Sequence, residues 1–134
     1  MKKTLGVHVI IEMYDCDPNT LKNKDQVEKA FLDIAKKSNA HAIGSFFHQF
    51  NPHGVSGVVI IEESHLSIHT WPEHGYAAVD YFYCSDDVDI DTALKLFEKY
   101  FKPGHMSVVE MKRGVLREQD MYKYVMSEKE KMLV

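Results

Sequence analysis

Between Glu62 and Ala77 the chain reads EESHLSIHTWPEHGYA, which gathers an acidic pair, a serine, two histidines four positions apart, the sole tryptophan and a Pro-Glu-His-Gly segment. Ser64 offers a hydroxyl, His69 an imidazole and, further on, Cys84 a thiol. These are the groups of nucleophilic and acid–base chemistry, provided that the fold brings them within proton-transfer distance.

The elements that must position them follow from periodicity. Leu66, Ile68 and Thr70 alternate with His65, Ser67 and His69, the period of a strand. Pro72 to Gly75 reads as a turn, since proline cannot continue a ladder and glycine supplies positive φ. Tyr76 to Cys84 is a second strand. A hairpin about that turn places His69 opposite Ala78 and Cys84 opposite Glu63 and Ser64, within about two residues. Parity then puts Ala78, Asp80, Phe82 and Cys84 on the histidine face, so a serine, a histidine and a thiol can share one face of one sheet. Distance restricts the outcome: Ser64 and His69 on one extended strand lie ~16 Å apart, too far for proton transfer. Either the chain turns at Ser64 or His69 serves a serine of another subunit.

The same strand geometry disfavours a metal site. His65 and His69 would hold one ion from a helix, but a strand sets them ~13 Å apart against zinc bonds of ~2 Å. The length of 134 residues bounds the chain to one domain with a modest core. A net charge of −4 argues against a nucleic-acid surface. Cys16 and Cys84 have neither metal nor redox spacing, no apolar leader precedes them, and no apolar run reaches the ~20 residues of a membrane span. A reducing cytoplasm is the expected setting.

Around this centre, Leu5 to Tyr14 is a strand with Val7, Val9, Ile11 and Met13 on one face. Lys24 to Lys37 is a helix buried through Val27, Ala30, Phe31, Ile34 and Ala35. Ala40 to Phe50 and Val55 to Ile61 are strands flanking an Asn51-Pro52-His53-Gly54 turn. Asp89 to about Phe101 is a second helix stopped by Pro103-Gly104, with Asp91 in its first turn favouring the helix dipole. Met106 to Met111 is a last strand. The tail from Leu116 to Val134 reads as charged and helical, with no chemistry in it. The pattern predicts an α+β fold, a two-layer sandwich of a largely antiparallel sheet with helices packed on one face.

From His53 to Cys84, HGVSGVVIIEESHLSIHTWPEHGYAAVDYFYC closely resembles the short prokaryotic S-adenosylmethionine decarboxylases. The match extends through Phe47, His48 and Phe50, and to Tyr14-Asp15-Cys16. The resemblance implies a self-made pyruvoyl cofactor. Ser64 attacks the Glu63 carbonyl, the chain passes through an ester, and elimination separates residues 1–63 from 64–134, leaving the pyruvoyl group at position 64. It implies His69 as the base for that elimination, Ser56 as a hydroxyl donor to the processing oxyanion, and Cys84 as the proton donor after carbon dioxide leaves. Phe50 and Trp71 would stack the adenine and Glu73 would accept the ribose hydroxyls. The implied substrate is S-adenosylmethionine, bound as a Schiff base, and the product is the aminopropyl donor for polyamine synthesis. The implied assembly is a homodimer of cleaved protomers.

Without the resemblance each residue has a plainer reading. Ser64 and Ser56 are loop or turn serines, His69 a hydrogen-bonded sheet residue, Cys84 a small buried hydrophobe, Phe50 and Trp71 core aromatics, and Glu73 a solvated charge. Two other functions stay open: a pyruvoyl-dependent decarboxylase of arginine or ornithine, and a homologue that neither cleaves itself nor catalyses. Gln49, where a basic residue often stands, and His53, at a variable turn, depart from the commonest family pattern.

Overall fold

The structure, a computed structural model, describes residues 3–116. Strand β1 (Lys3–Tyr14) is followed by a short 3-10 turn at Pro18–Thr20, helix α1 (Lys24–Lys37), strands β2 (Ala42–Gln49), β3 (Val55–Ile61) and β4 (Ser64–Trp71). A second 3-10 turn at Pro72–His74 leads to β5 (Tyr76–Tyr83), then α2 (Ile90–Phe101) and β6 (His105–Leu116). Among the described residues no helix is long and apolar enough to cross a membrane.

Period-two apolarity in the strands produces one buried face. Val9, Ile11 and Met13 of β1, Leu66, Ile68 and Thr70 of β4, and Ala77, Val79 and Tyr81 of β5 are all buried. The helices close over that face. Asn23 caps α1 by accepting from the Gln26 N–H at 3.0 Å, and Asp89 caps α2 by accepting from the Thr92 N–H at 3.1 Å, each satisfying a donor that the first turn leaves orphaned. All five residues of the expected α1 stripe are buried. Phe31 sits between Phe97 and Phe101 of α2 and Phe47 of β2, with ring centroids 5.5, 6.1 and 6.0 Å away. Burying such a ring contributes about 1.5–3 kcal/mol.

The six strands lie in the order β2-β3-β4-β5-β1-β6, every neighbouring pair antiparallel. The two-layer α+β fold is therefore as expected. The opposite sheet face carries His8, Ile10 and Glu12 of β1, His65, Ser67 and His69 of β4, and Asp80 and Phe82 of β5, as parity required. Neither helix covers it.

Several strand boundaries differ from the sequence reading: β2 runs Ala42–Gln49 rather than Ala40 to Phe50, and β6 starts one residue earlier, at His105. β1 begins two residues earlier, and β6 continues past Met111 to Leu116 because it pairs with β1 along its whole length, Lys3 facing Leu116. Lys112 and Arg113 hide the strand pattern because an edge strand can leave both charged side chains exposed. The expected helical tail lies outside the described residues beyond Leu116.

Candidate active site

The β4–β5 hairpin has the expected register: His69 faces Ala78, and Ser64 faces Tyr83, next to Cys84. The turn that sets it is a single 3-10 turn after Trp71. Gly75 ends it at φ 60°, and a Cβ there would stand 3.2 Å from the Cys16 carbonyl oxygen. The Cys16 N–H donates to the Gly75 carbonyl at 2.8 Å, tying the end of β1 to this turn.

At that end of the sheet the chain builds a cavity of about 310 Å³ lined by Phe50, His53, Gly54, Ser56, His69, Thr70, Trp71 and Glu73. It unites five of the residues singled out in the sequence. Ser56 faces His69 across β3 and β4, and its Oγ lies 2.7 Å from His69 Nδ1. Ser56 is on the open face by parity, while on the buried face its neighbour Gly57 leaves room for the Phe47 ring to cross the strand: a Cβ on Gly57 would lie 2.0 Å from that ring. Thr70 fixes the floor, accepting from the Val55 N–H at 2.8 Å and donating to the Leu21 carbonyl at 2.9 Å. Phe50 and Trp71 are 48% and 40% exposed, so neither is a core aromatic; Phe50 meets His48 edge-on at 4.6 Å and Trp71 lies beside Tyr76 at 5.3 Å. Glu73 Oε1 lies 3.3 Å from His53 Nε2.

Gln49 has a structural duty that the sequence did not disclose. Its Nε2 donates to the Gly54 carbonyl at 3.1 Å and its Oε1 accepts from the Lys24 N–H at 2.9 Å, pinning the Phe50–Gly54 loop to helix α1.

Ser64 and Cys84 lie elsewhere, at the other end of β4. The chain turns at Glu62-Glu63, immediately before Ser64, so Ile61 pairs with Ser64 in a two-residue hairpin. This turn does not bring Ser64 to His69: five residues of extended strand still separate them, ~16 Å. Ser64 has φ 155°, a backbone value common for glycine and costly for a side chain. The Glu63 carbonyl accepts from the Cys84 N–H at 3.0 Å. The Glu63 carboxylate accepts from the His41 N–H at 3.0 Å and meets His41 Nδ1 at 2.8 Å. That hydrogen bond holds the Glu63 carboxyl below its ordinary range and raises His41. Cys84 is exposed, whereas Cys16 is buried and its thiol is pushed up to about 11, first by burial and then by Asp15.

Between the two ends, the open face carries a polar row. His8 Nε2 lies 2.7 Å from Asp80 Oδ1, and Ser67 donates to the other Asp80 oxygen at 3.3 Å. His65 is lowered, chiefly by burial.

The family model described as S-adenosylmethionine decarboxylase matches residues 7–114. The S-adenosylmethionine decarboxylase proenzyme of Thermosipho melanesiensis is 51% identical over 112 residues, covering 84% of this chain and 86% of that protein. The proenzyme of Fervidobacterium nodosum is 52% identical over 112 residues, covering 84% and 82%. The crystal structure of the adenosylmethionine decarboxylase from Aquifex aeolicus superposes with a TM-score of 0.79 at 34% identity, covering 87% of this chain and 97% of that one. On the matched family model and these relatives, the chain belongs to the S-adenosylmethionine decarboxylase family.

Proposed function

We propose that this chain decarboxylates S-adenosylmethionine after converting its own Ser64 into a pyruvoyl group, and that two copies share each active site. The observation that carries this reading is the Glu62-Glu63 turn. It presents Ser64 in an unfavourable backbone conformation directly behind a carbonyl that already accepts from the Cys84 N–H. A peptide held this way is prepared for attack, because the donor to the carbonyl also stabilises the oxyanion that develops there.

In the processing reaction Ser64 Oγ attacks the Glu63 carbonyl carbon. The Glu63–Ser64 C–N bond breaks, leaving an ester and a free amine on residue 64. His69 removes the α-proton of residue 64 and the Glu63 carboxylate departs. The resulting enamine tautomerises to an imine, and water releases ammonia to leave the pyruvoyl group. Residues 1–63 and 64–134 remain as two chains. Ser56, 2.7 Å from His69 Nδ1, orients the imidazole and offers its hydroxyl to the oxyanion.

The Ser56–His69 pair and Ser64 occupy opposite ends of β4, so the pair acts on Ser64 of a second copy. The uncovered sheet face supports such a homodimer. It exposes Phe46, Ile60, Val109 and Met111, which are 70%, 46%, 53% and 50% exposed. A two-fold axis lying in the plane of that interface and running across β4 would set unlike ends of β4 against each other.

Turnover uses the same two ends. Phe50 and Trp71 hold the adenine between exposed ring faces, which also favour the positive sulfonium. Glu73 accepts from the ribose hydroxyls. The residues at the β3–β4 turn fit a pyruvoyl group at position 64, which supplies an electron sink for the electrons left as carbon dioxide departs. Cys84 returns a proton to the substrate α-carbon. The product is decarboxylated S-adenosylmethionine, an aminopropyl donor for polyamine synthesis, and the setting is cytoplasmic.

Release of carbon dioxide from carboxyl-labelled S-adenosylmethionine, arginine and ornithine, each offered alone, tests the substrate. The reading requires release from S-adenosylmethionine, lost on treatment with a carbonyl-trapping reagent. Release from arginine or ornithine instead would transfer the chain to the alternative decarboxylase class. Release from none would favour a homologue that does not catalyse.

A further inference from the structure

We propose that His41 is a positioning residue for self-cleavage, acting through the Glu63 side chain to hold the scissile carbonyl in place. The inference rests on the reading of Ser64 given above and adds to it a residue outside the cavity and outside the Ser64–His69 segment.

Glu63 is the second residue of a two-residue turn, a position whose side chain ordinarily projects into solvent. Here it is fastened. Both carboxylate oxygens are engaged by His41, one by the main-chain N–H at 3.0 Å and one by Nδ1 at 2.8 Å. The Glu62 N–H returns a bond to the His41 carbonyl at 2.9 Å. His41 immediately precedes β2, so three hydrogen bonds join the tip of the β3–β4 turn to the entry of the neighbouring strand.

On the other side the Glu63 carbonyl is held by the Cys84 N–H at 3.0 Å. Residue 63 is therefore fixed through its side chain from one strand and through its carbonyl from another, and the peptide between them cannot rotate freely. That matters because Ser64 attacks from the adjacent residue, and a short ring closes only over a narrow range of torsions. The shift of both partners toward their charged forms agrees with the geometry. His41, Glu62 and Glu63 also bring their ligand-type atoms within 4.8 Å of one another, but His41 already occupies both Glu63 oxygens. The arrangement is complete as a clamp.

The test is a cleavage time course on freshly purified full-length chain, followed by denaturing intact mass. His41→Ala should slow separation of residues 1–63 from 64–134 by about five- to tenfold, a size set by the exposure of the His41 side chain. His41→Asn, whose amide can donate from nearly the position of Nδ1, should restore at least about half the wild-type rate. If His41 acts through Glu63, His41→Ala should add less than about twofold when Glu63 is already Ala. To separate positioning from folding, thermal midpoints are compared on the Ser64→Ala background, where no chain cleaves; His41→Ala should leave the midpoint within about 2 °C.

A wild-type chain that cleaves while His41→Ala matches its rate would overturn this inference alone. Equal slowing by His41→Ala and His41→Asn, or full additivity with Glu63→Ala, would overturn it as well. A wild-type chain that never cleaves would overturn the functional reading, and this inference with it.

Discussion

The main-chain N–H of Cys84 donates to the carbonyl oxygen of Glu63 across 3.0 Å. In the proposed reaction one residue would thus have two separable duties: its backbone would steady the carbonyl that Ser64 attacks, and its exposed thiol would be the proton donor in turnover. Cys84→Ala keeps the backbone donor and removes the thiol. Self-cleavage should stay within about threefold of wild type, while decarboxylation falls by at least ~100-fold, the usual worth of a positioned acid. Intact mass and carbon dioxide release report the two separately.

The separation of Ser64 from the Ser56–His69 pair predicts complementation. Ser64→Ala and His69→Ala chains should each be inactive when expressed alone. Co-expressed, half of the dimers are mixed, and each mixed dimer has one complete site. Activity should return to about a quarter of wild type per chain. Recovery of no activity would place the base and its serine in one chain.

Glu73 should contribute to binding more than to chemistry. Glu73→Gln retains the shape but loses the strong paired acceptor for a diol. KM for S-adenosylmethionine should rise about tenfold with kcat within about threefold. The partner of Glu73 in the cavity, His53, is 3.3 Å away; its removal should change KM in the same assay by less than Glu73→Gln.

Processing should depend on pH through the His41–Glu63 pair. Glu63 is lowered by its hydrogen bond from His41, so its share of the interaction is full above the ordinary carboxylate range and is lost as pH falls through the lowered value. His41 is raised by its hydrogen bond to Glu63, and Glu62 and Asp87 push it the same way. Its share is full below the ordinary imidazole value of about 6.5 and is lost as pH rises through the raised value. The ratio of wild-type to His41→Asn cleavage rates should therefore be greatest at mildly acidic pH, between the ordinary carboxylate value of about 4.3 and the imidazole value of about 6.5, and decline on both sides. Rates measured in matched buffers across that range check this.

Much of this arrangement was legible because local chemistry left few choices. Pro72 and Gly75 fix the turn, and with it the register that places His69 on Ala78. The buried stripe of α1 follows from spacing alone. The two-residue turn at Glu62-Glu63 was less legible, since two acidic residues carry no turn signature comparable to proline or glycine. The grip of His41 on Glu63 spans 22 positions and depends on β2 lying beside β3, which periodicity does not encode. The last residues of β6 were hidden by exposed charges on an edge strand.

The most direct measurement is the intact mass of the purified wild-type chain under denaturing conditions. The account predicts two fragments parted between Glu63 and Ser64, the second starting with a group that reacts with carbonyl reagents. A single full-length mass that persists through prolonged incubation would contradict it.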